Sequence, residues 1–98
     1  MENETVIGFI GAGNMAYALI NGLLNNGYDS KNIKVSDPND ELLRKREAEL
    51  NVTTYANNLS LVEVCDIIVF AVKPQVLSEV CLELREKVTT KHLFISIV

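Results

Sequence analysis

The sequence predicts an α/β fold built on a doubly wound parallel sheet, and three observations lead to this fold class. Short apolar segments rich in β-branched residues alternate with longer segments of helical periodicity along the 98 residues, an order typical of right-handed βαβ crossovers. The strongest apolar segment, residues 66–72, has no polar alternation after Asp66, as expected of a strand covered on both faces. Hydrophobic residues make up 48% of the chain and charged residues 22%, which is an ordinary composition for one globular domain.

The first βαβ unit occupies residues 6–36. Residues 6–10 are a short apolar run that ends at glycines, which predicts a buried strand. Apolar residues then recur at helical spacing through residues 14–26, and Gly27 occupies the position where a left-handed residue ends such a helix. A second strand is predicted over Ile33–Ser36.

The remaining elements repeat the same alternation. A turn follows the second strand, and Asp40 is the predicted N-cap of the helix after it. The further predicted elements are a helix over residues 41–50, a strand over 52–55, a short helix over 60–64, a strand over 66–72, a helix over 75–87 and a strand over 92–98. Because the chain stops on a hydrophobic strand, we expect a domain truncated after its fifth strand.

The charge balance argues against nucleic acid as a partner. The chain carries 9 Lys and Arg against 13 Asp and Glu, a net charge of −4, with no basic block. The N-terminus is acidic, and the longest uncharged apolar run, residues 67–72, is far shorter than the ~20 residues that span a bilayer. We therefore predict a cytoplasmic protein that enters no membrane. Cys65 and Cys81 stand in no paired motif and are expected to be buried free thiols.

A glycine-rich turn joins the first strand to the first helix. Residues 11–16 have the form G-x-G-x-x-A. Because a predicted strand precedes this motif and a predicted helix follows it, the motif indicates dinucleotide binding. Gly11 would permit the tight turn, Gly13 would let a pyrophosphate approach the backbone, and Ala16 would keep helix and strand close. The first amides of the helix would then point at the phosphates from the positive end of the helix dipole. The alternative is a plain strand-to-helix turn that requires small residues.

The end of the second strand is where folds of this kind distinguish NAD from NADP. Asp37 stands there and would accept hydrogen bonds from the hydroxyls of the adenosine ribose, which favours NAD. Three basic residues follow on the next helix: Arg44, Lys45 and Arg46. A basic group could hold a 2′-phosphate, but we interpret these three charges as a solvated helix face.

Other strand ends contribute further candidates. Lys73 and Pro74 follow the strongest strand, where the backbone of Val72 and Lys73 would line the nicotinamide half of the site, unless Lys73 is an exposed loop lysine. Asn57 and Asn58, after the third strand, could face the adenine, although Asn pairs are also common in loops. His92, the single histidine, begins a strand far from the glycine turn and is a poor catalytic candidate. The sequence has no metal-spaced cluster.

Two segments of the chain together resemble the N-terminal half of pyrroline-5-carboxylate reductase. They are Gly8-Phe9-Ile10-Gly11-Ala12-Gly13-Asn14-Met15-Ala16 and Ala71-Val72-Lys73-Pro74-Gln75. The glycine motif alone occurs in many dehydrogenases, whereas its pairing with the second segment is more specific. The resemblance implies a Rossmann-type domain of an enzyme that passes hydride from a nicotinamide to the C=N carbon of 1-pyrroline-5-carboxylate. The product is proline, in the last step of its biosynthesis.

The resemblance also implies the cofactor contacts. They map onto the glycine turn, the start of the short third helix and the end of the strongest strand, at Ile10, Gly11, Ala12, Gly13, Asn14, Met15, Asn58, Ala71, Val72, Lys73 and Pro74. Ser36 and Asp37 match the position that meets the ribose or its 2′-phosphate. The family commonly prefers NADPH (NADP) and accepts NADH (NAD). Asp37 departs from the Ser or Arg often present there, so we expect only a small preference for NADPH.

The same resemblance implies a part of the enzyme that lies outside residues 1–98. In the family a C-terminal helical domain forms the homodimer or a higher homo-oligomer and holds the small-molecule substrate. We therefore assign no catalytic residue, and expect the chain alone to bind cofactor weakly at best and to form no proline.

Two other interpretations remain open. One is a related nicotinamide oxidoreductase of the β-hydroxyacid dehydrogenase or deazaflavin-dependent NADP reductase type, and the other is a non-catalytic nucleotide-sensing module.

Overall fold

The computed structural model describes residues 5–85 and 92–96. Its five strands form one parallel sheet in the order β3-β2-β1-β4-β5. The elements are β1 (Ile7–Ile10), α1 (Asn14–Asn25), β2 (Ile33–Ser36), α2 (Asp40–Leu50), β3 (Thr53–Tyr55), α3 (Asn58–Val64), β4 (Ile67–Phe70), α4 (Pro74–Leu84) and β5 (Leu93–Ser96). The predicted ends of the last helix and the last strand, at residues 87 and 98, lie outside the described residues.

The strand order confirms the predicted doubly wound parallel sheet. The chain moves outward from β1 to β3, then returns to the middle of the sheet at β4 and moves outward the other way to β5. The direction therefore reverses between β1 and β4, which are hydrogen-bonded neighbours. Sheets of this kind open a crevice at such a switch point, at the carboxyl ends of the strands.

Two apolar cores lie on opposite faces of the sheet, as the lack of polar alternation in the strands predicts. Neighbouring residues of β1 point to different cores, Phe9 to one and Ile10 to the other. The core on the side of α1 and α2 includes Ile20, Ile33, Val35, Leu43 and Val69. The core on the side of α3 and α4 includes Leu61, Val62, Ile68, Val80 and Leu84.

The N-cap of α2 is Asn39, so the prediction of Asp40 as the cap is wrong. The Asn39 side chain accepts a hydrogen bond from the Leu42 N–H at 3.0 Å. The Asp37 carboxylate in turn accepts a hydrogen bond from the Asn39 N–H at 2.9 Å. This bond holds Asn39 in an extended conformation, and Asp40 becomes the first helical residue.

Two other helices begin earlier than their apolar periodicity predicts. Asn57 caps α3 by accepting hydrogen bonds from the amides of Leu59 and Ser60. Pro74 is the first residue of α4, a position where its missing N–H leaves no acceptor unsatisfied. Both boundaries come from capping chemistry, which the spacing of apolar residues does not register.

The two cysteines differ, and the expectation of burial is wrong for Cys81. Cys65 is buried, and burial raises the pKa of its thiol to about 12. Cys81 is exposed. The buried side of α4 is formed by Val80 and Leu84, one helical turn apart. Cys81, one residue beyond Val80, is rotated by about 100° around the helix axis and faces solvent.

Candidate functional site

Two adjoining cavities lie at the carboxyl ends of β1, β2 and β4. The first, here the β2-side cavity, has a volume of about 320 Å³ and is lined by Ile10, Gly11, Ser36, Asp37, Pro38, Ala56, Asn57, Asn58, Val72, Val76, Val80 and Glu83. The second, here the loop-side cavity, has a volume of about 400 Å³ and is lined by Gly13, Asn14, Met15, Ala71, Val72, Lys73 and Pro74. The two cavities meet at Val72. Every residue that the sequence predicts for the site lines one of them, except Ala12.

Gly11 is required by the fold itself. Its φ angle is +108°, a conformation that L side chains rarely adopt. A Cβ at this position would also lie 2.7 Å from the carbonyl oxygen of Ala71, at the end of β4. The Gly11 N–H donates to the carbonyl of Ser36 at 2.8 Å. The turn therefore fits between the ends of β2 and β4 only with glycine here.

Gly13 is not required by contacts within the chain. Its φ is −74°, which any residue adopts, and a Cβ built on it would meet no atom within 4 Å. It precedes α1, whose N-terminus has no side-chain cap. The first backbone bond of the helix runs from the Tyr17 N–H to the Gly13 carbonyl. The amides of the first turn are thus available to an anion, in an open space at the positive end of the helix dipole.

Ala12 lies between the two glycines and is buried. Its N–H donates to Oδ2 of Asp37 at 2.9 Å. Its carbonyl accepts a hydrogen bond from Nε of Arg46 at 2.8 Å. The Ala12 amide is therefore used inside the fold, and the contact of Ala12 with a cofactor stays a prediction.

Asp37 lines the β2-side cavity, and its carboxylate also accepts hydrogen bonds from two backbone amides, those of Ala12 and Asn39. Besides the Ala12 amide at Oδ2, it accepts the Asn39 N–H at Oδ1. A carboxylate offers about four acceptor positions. Two of them remain for a ligand, so the carboxylate can still accept hydrogen bonds from ribose hydroxyls.

A chain of polar side chains links β2, α3 and α4 at the floor of the β2-side cavity. The buried Ser36 hydroxyl donates to Oδ1 of Asn58 at 2.6 Å. The Asn58 amide donates to Oε1 of Glu83 at 3.2 Å. Sequence reasoning missed Glu83, although its spacing from Val76 and Val80 (i, i+4, i+7) places all three on one side of α4. The hydrogen of the Ser36 hydroxyl is donated to Asn58, and the contact of Ser36 with a cofactor stays a prediction.

The basic residues of α2 divide into two environments. Arg44 is exposed and pairs with Asp40 and Glu47, as the interpretation of a solvated helix face predicts. For Arg46 that interpretation is wrong, because the residue is 4% exposed. The buried face of α2 consists of Leu43, Arg46 and Leu50, so the helical spacing from the two leucines was the available signal.

The end of β4 forms the outer wall of the loop-side cavity. The Ala71 N–H donates to the Ile10 carbonyl at 2.9 Å, which holds this segment beside the glycine turn. The Lys73 carbonyl accepts from the Val76 and Leu77 amides at the start of α4, and the Lys73 side chain is exposed. His92 contacts the Val62 carbonyl at 3.0 Å and lines neither cavity.

Two other features, a metal-binding cluster and a membrane-spanning helix, are absent from the described residues. Within residues 5–85 and 92–96, no three His, Cys, Asp or Glu side chains gather where they could hold a metal ion. In the same described part of the chain, no helix combines the length and the apolar character needed to cross a membrane.

The sheet order and the glycine turn at the switch point define a Rossmann-type α/β domain. The profile of the family described as NADP oxidoreductase, coenzyme F420-dependent, matches residues 6–98. The chain belongs to this family.

Individual relatives agree with the resemblance inferred from the two sequence segments. The chain is 45% identical over 92 residues to the pyrroline-5-carboxylate reductase of Haemophilus influenzae, covering 94% of this chain and 34% of that protein. A pyrroline-5-carboxylate reductase structure from Coxiella burnetii superposes with a TM-score of 0.90 at 37% identity, covering 95% of this chain and 35% of that one. The Plasmodium falciparum pyrroline carboxylate reductase with NADP bound superposes with a TM-score of 0.83 at 28% identity, covering 99% of this chain and 34% of that one. The chain thus spans about a third of the length of the relatives it matches.

Proposed function

We propose that this chain is the cofactor-binding domain of an NAD(P)H-dependent reductase that acts on the C=N bond of 1-pyrroline-5-carboxylate. The observation that carries the cofactor assignment is the open space at Gly13, beside the uncapped N-terminus of α1. A Cβ there would occupy space that the fold leaves free, and small residues at such a turn let a pyrophosphate reach the backbone amides. The assignment of 1-pyrroline-5-carboxylate as the substrate is supported by the reductases that this chain resembles.

The two cavities suggest how the chain would bind the dinucleotide. The amides of Gly13, Asn14 and Met15 would receive the pyrophosphate. The β2-side cavity would take the adenosine, with its apolar wall against the adenine and Asp37 at the ribose. The loop-side cavity, bounded by residues 71–74, would take the nicotinamide half. When bound, the reduced nicotinamide supplies a hydride, and the chain's own residues fix its position.

The remaining parts of the proposal concern the whole protein. We propose that the imine and its carboxylate bind against residues outside this chain, in a helical region that also forms a homodimer or a higher homo-oligomer. We assign no catalytic residue within residues 1–98. A cytoplasmic location is part of the same proposal.

Activity of the protein produced from its complete gene tests the proposed reaction. We expect it to form proline from 1-pyrroline-5-carboxylate while oxidising NADPH or NADH, measured by the loss of absorbance of the reduced cofactor and by product analysis. A Gly13→Val variant of the same length serves as the control and should form none. Cofactor binding without proline formation would contradict the substrate assignment while leaving the cofactor assignment standing.

A second candidate follows from the description of the family, which names coenzyme F420, a deazaflavin. A deazaflavin-dependent NADP reductase would exchange hydride between NADP and that coenzyme rather than reduce an imine. Reduction of a deazaflavin by NADPH, in the absence of pyrroline-5-carboxylate turnover, would favour this candidate. Binding of dinucleotide with neither reaction would favour a nucleotide-sensing module.

The choice between NADH and NADPH depends on the charges around the β2-side cavity. Among the residues that the structure describes, its lining includes the carboxylates of Asp37 and Glu83 and no Lys or Arg side chain. A 2′-phosphate placed there meets negative charge, so we expect calorimetry to give Kd values for the two cofactors within about tenfold of each other.

Replacement of Asp37 by serine checks this interpretation. Asp37→Ser should raise the ratio of NADPH to NADH affinity. The ratio is the relevant readout because the lost Ala12 contact weakens both cofactors alike. Asp40→Asn, which removes an exposed acidic residue of α2, should leave the ratio unchanged. A wild-type preference for NADPH of about a hundredfold would contradict the proposal.

A further inference from the structure

Arg46 is a buried charged residue whose guanidinium reaches the glycine turn from α2. Only 4% of the residue is exposed. We propose that Arg46 is a positioning residue, which acts with Asp37 to hold the turn in the conformation that presents its amides to a pyrophosphate. The proposal rests on the proposed function for the identity of the ligand.

The two side chains fix the peptide groups on both sides of the Ala12 Cα. Asp37 Oδ2 accepts the Ala12 N–H at 2.9 Å, which fixes the Gly11–Ala12 peptide. Arg46 Nε donates to the Ala12 carbonyl at 2.8 Å, which fixes the Ala12–Gly13 peptide. Neither partner comes from the turn itself, since Arg46 lies 34 residues and Asp37 25 residues from Ala12.

The contact with Arg46 also determines where the Gly13 amide points. In a planar trans peptide the C=O and N–H bonds point in opposite directions. Because Arg46 binds the Ala12 carbonyl on the α2 side of the turn, the Gly13 N–H points away from α2. If this peptide rotated, a carbonyl oxygen would replace the amide and repel a phosphate. Gly13 has the backbone freedom that such a rotation needs, because it carries no Cβ.

The guanidinium is itself held by two further contacts, so its position is well determined. One of its terminal nitrogens, Nη1, pairs with Oε1 of Glu49 at 2.8 Å. Its carbon lies 4.8 Å from the ring centroid of Tyr17, on α1, within the range of a cation–π interaction. A lysine would not reproduce this arrangement, because it lacks the planar fork that donates in two fixed directions.

Paired variants on α2, made in the protein produced from the complete gene, test the proposal. Arg46→Met keeps an unbranched apolar stem and removes the donors, and Arg44→Met removes the same charge from the exposed face. We expect Arg46→Met to raise the Kd for NADH and NADPH about tenfold or more, in proportion to a lost charge-assisted hydrogen bond. Arg44→Met should change it by less than about twofold. Equal affinity of wild type and Arg46→Met would overturn the proposal.

A second measurement separates positioning of the turn from a general loss of structure. Amide proton exchange of Ala12, whose N–H is bonded to Asp37, followed by NMR, should accelerate in Arg46→Met relative to Arg44→Met, while exchange within β1 and β4 stays equal in the two. Uniform acceleration across the sheet would show a merely structural role and overturn the proposal.

Two further outcomes remain decisive. If Arg46→Met does not fold, the wild-type protein supplies the test. In it, the Arg46 Nε–H should exchange slowly and the Arg44 Nε–H rapidly. Rapid exchange at both would overturn the proposal, and Arg46→Lys should bind cofactor with intermediate affinity. If the wild type binds neither NADH nor NADPH, the proposed function fails, while the exchange of the Ala12 amide still decides whether Arg46 orders the turn.

Discussion

Replacing Gly13 by valine is expected to abolish binding of NADH and NADPH while changing the free energy of unfolding by only about 1 kcal/mol. The φ of −74° and ψ of −165° suit a β-branched residue, and a Cβ at this position meets no atom beyond its chain neighbours within 4 Å. The side chain would instead occupy the space at the N-terminus of α1 that the proposed pyrophosphate needs. The small stability change comes from the weaker N-cap, where valine is less favourable than glycine.

Calorimetric titration and urea unfolding of the same samples measure the two effects. Gly22 offers a matched control, since it lies on α1 and a Cβ there also meets nothing within 4 Å. Gly22→Ala should leave the Kd unchanged and raise stability by about 0.5–1 kcal/mol, because alanine favours a helix interior. A Gly13→Val variant that binds either cofactor within about threefold of wild type would show that the glycine turn is not the site.

The parts of this domain that sequence predicts well are those with local causes. Gly11 follows a strand and precedes a helix, and its chain neighbours reveal the turn before any tertiary contact is known. Gly27, after the first helix, has the predicted left-handed conformation, with φ of +93°. The continuous apolar character of residues 67–70 likewise predicts a strand with both faces covered, and β4 lies inside the sheet between β1 and β5.

The parts that sequence predicts poorly depend on distant partners. Nothing near Arg46 in the chain shows that its guanidinium meets the carbonyl of Ala12, 34 residues earlier. The same holds for Asp37, whose acidic character suggests a ribose ligand but whose carboxylate also braces the turn. The spacing from Leu43 to Arg46 to Leu50 does carry the signal for burial. A charged residue at a core position of a helix is thus a candidate for long-range hydrogen bonding rather than for solvent contact.

Replacing Gly11 by alanine is expected to reduce the free energy of unfolding by about 3–4 kcal/mol, a large share of the stability of a domain of this size. Two effects add at this position. An alanine must adopt φ of +108°, and its Cβ would approach the Ala71 carbonyl oxygen to 2.7 Å. Relief of that contact requires the ends of β1 and β4 to separate at the switch point, where the Ala71 N–H bonds the Ile10 carbonyl.

Gly27→Ala separates the two effects, because Gly27 has a similar φ of +93° but a Cβ there would meet nothing within 4 Å. Its loss of stability should be about 1 kcal/mol, the strain of the left-handed conformation alone. The difference between the two variants, measured by urea unfolding, then gives the steric contribution of the Ala71 carbonyl. Equal losses of unfolding free energy in the two variants would mean that the end of β4 moves away from the added Cβ at no energetic cost. In that case the switch point would be softer than its hydrogen bonds indicate, and the two cavities that meet at Val72 would not have a fixed geometry. A difference of about 2 kcal/mol or more would instead show that the cofactor crevice is built by the close approach of two backbones, which only a glycine at position 11 permits.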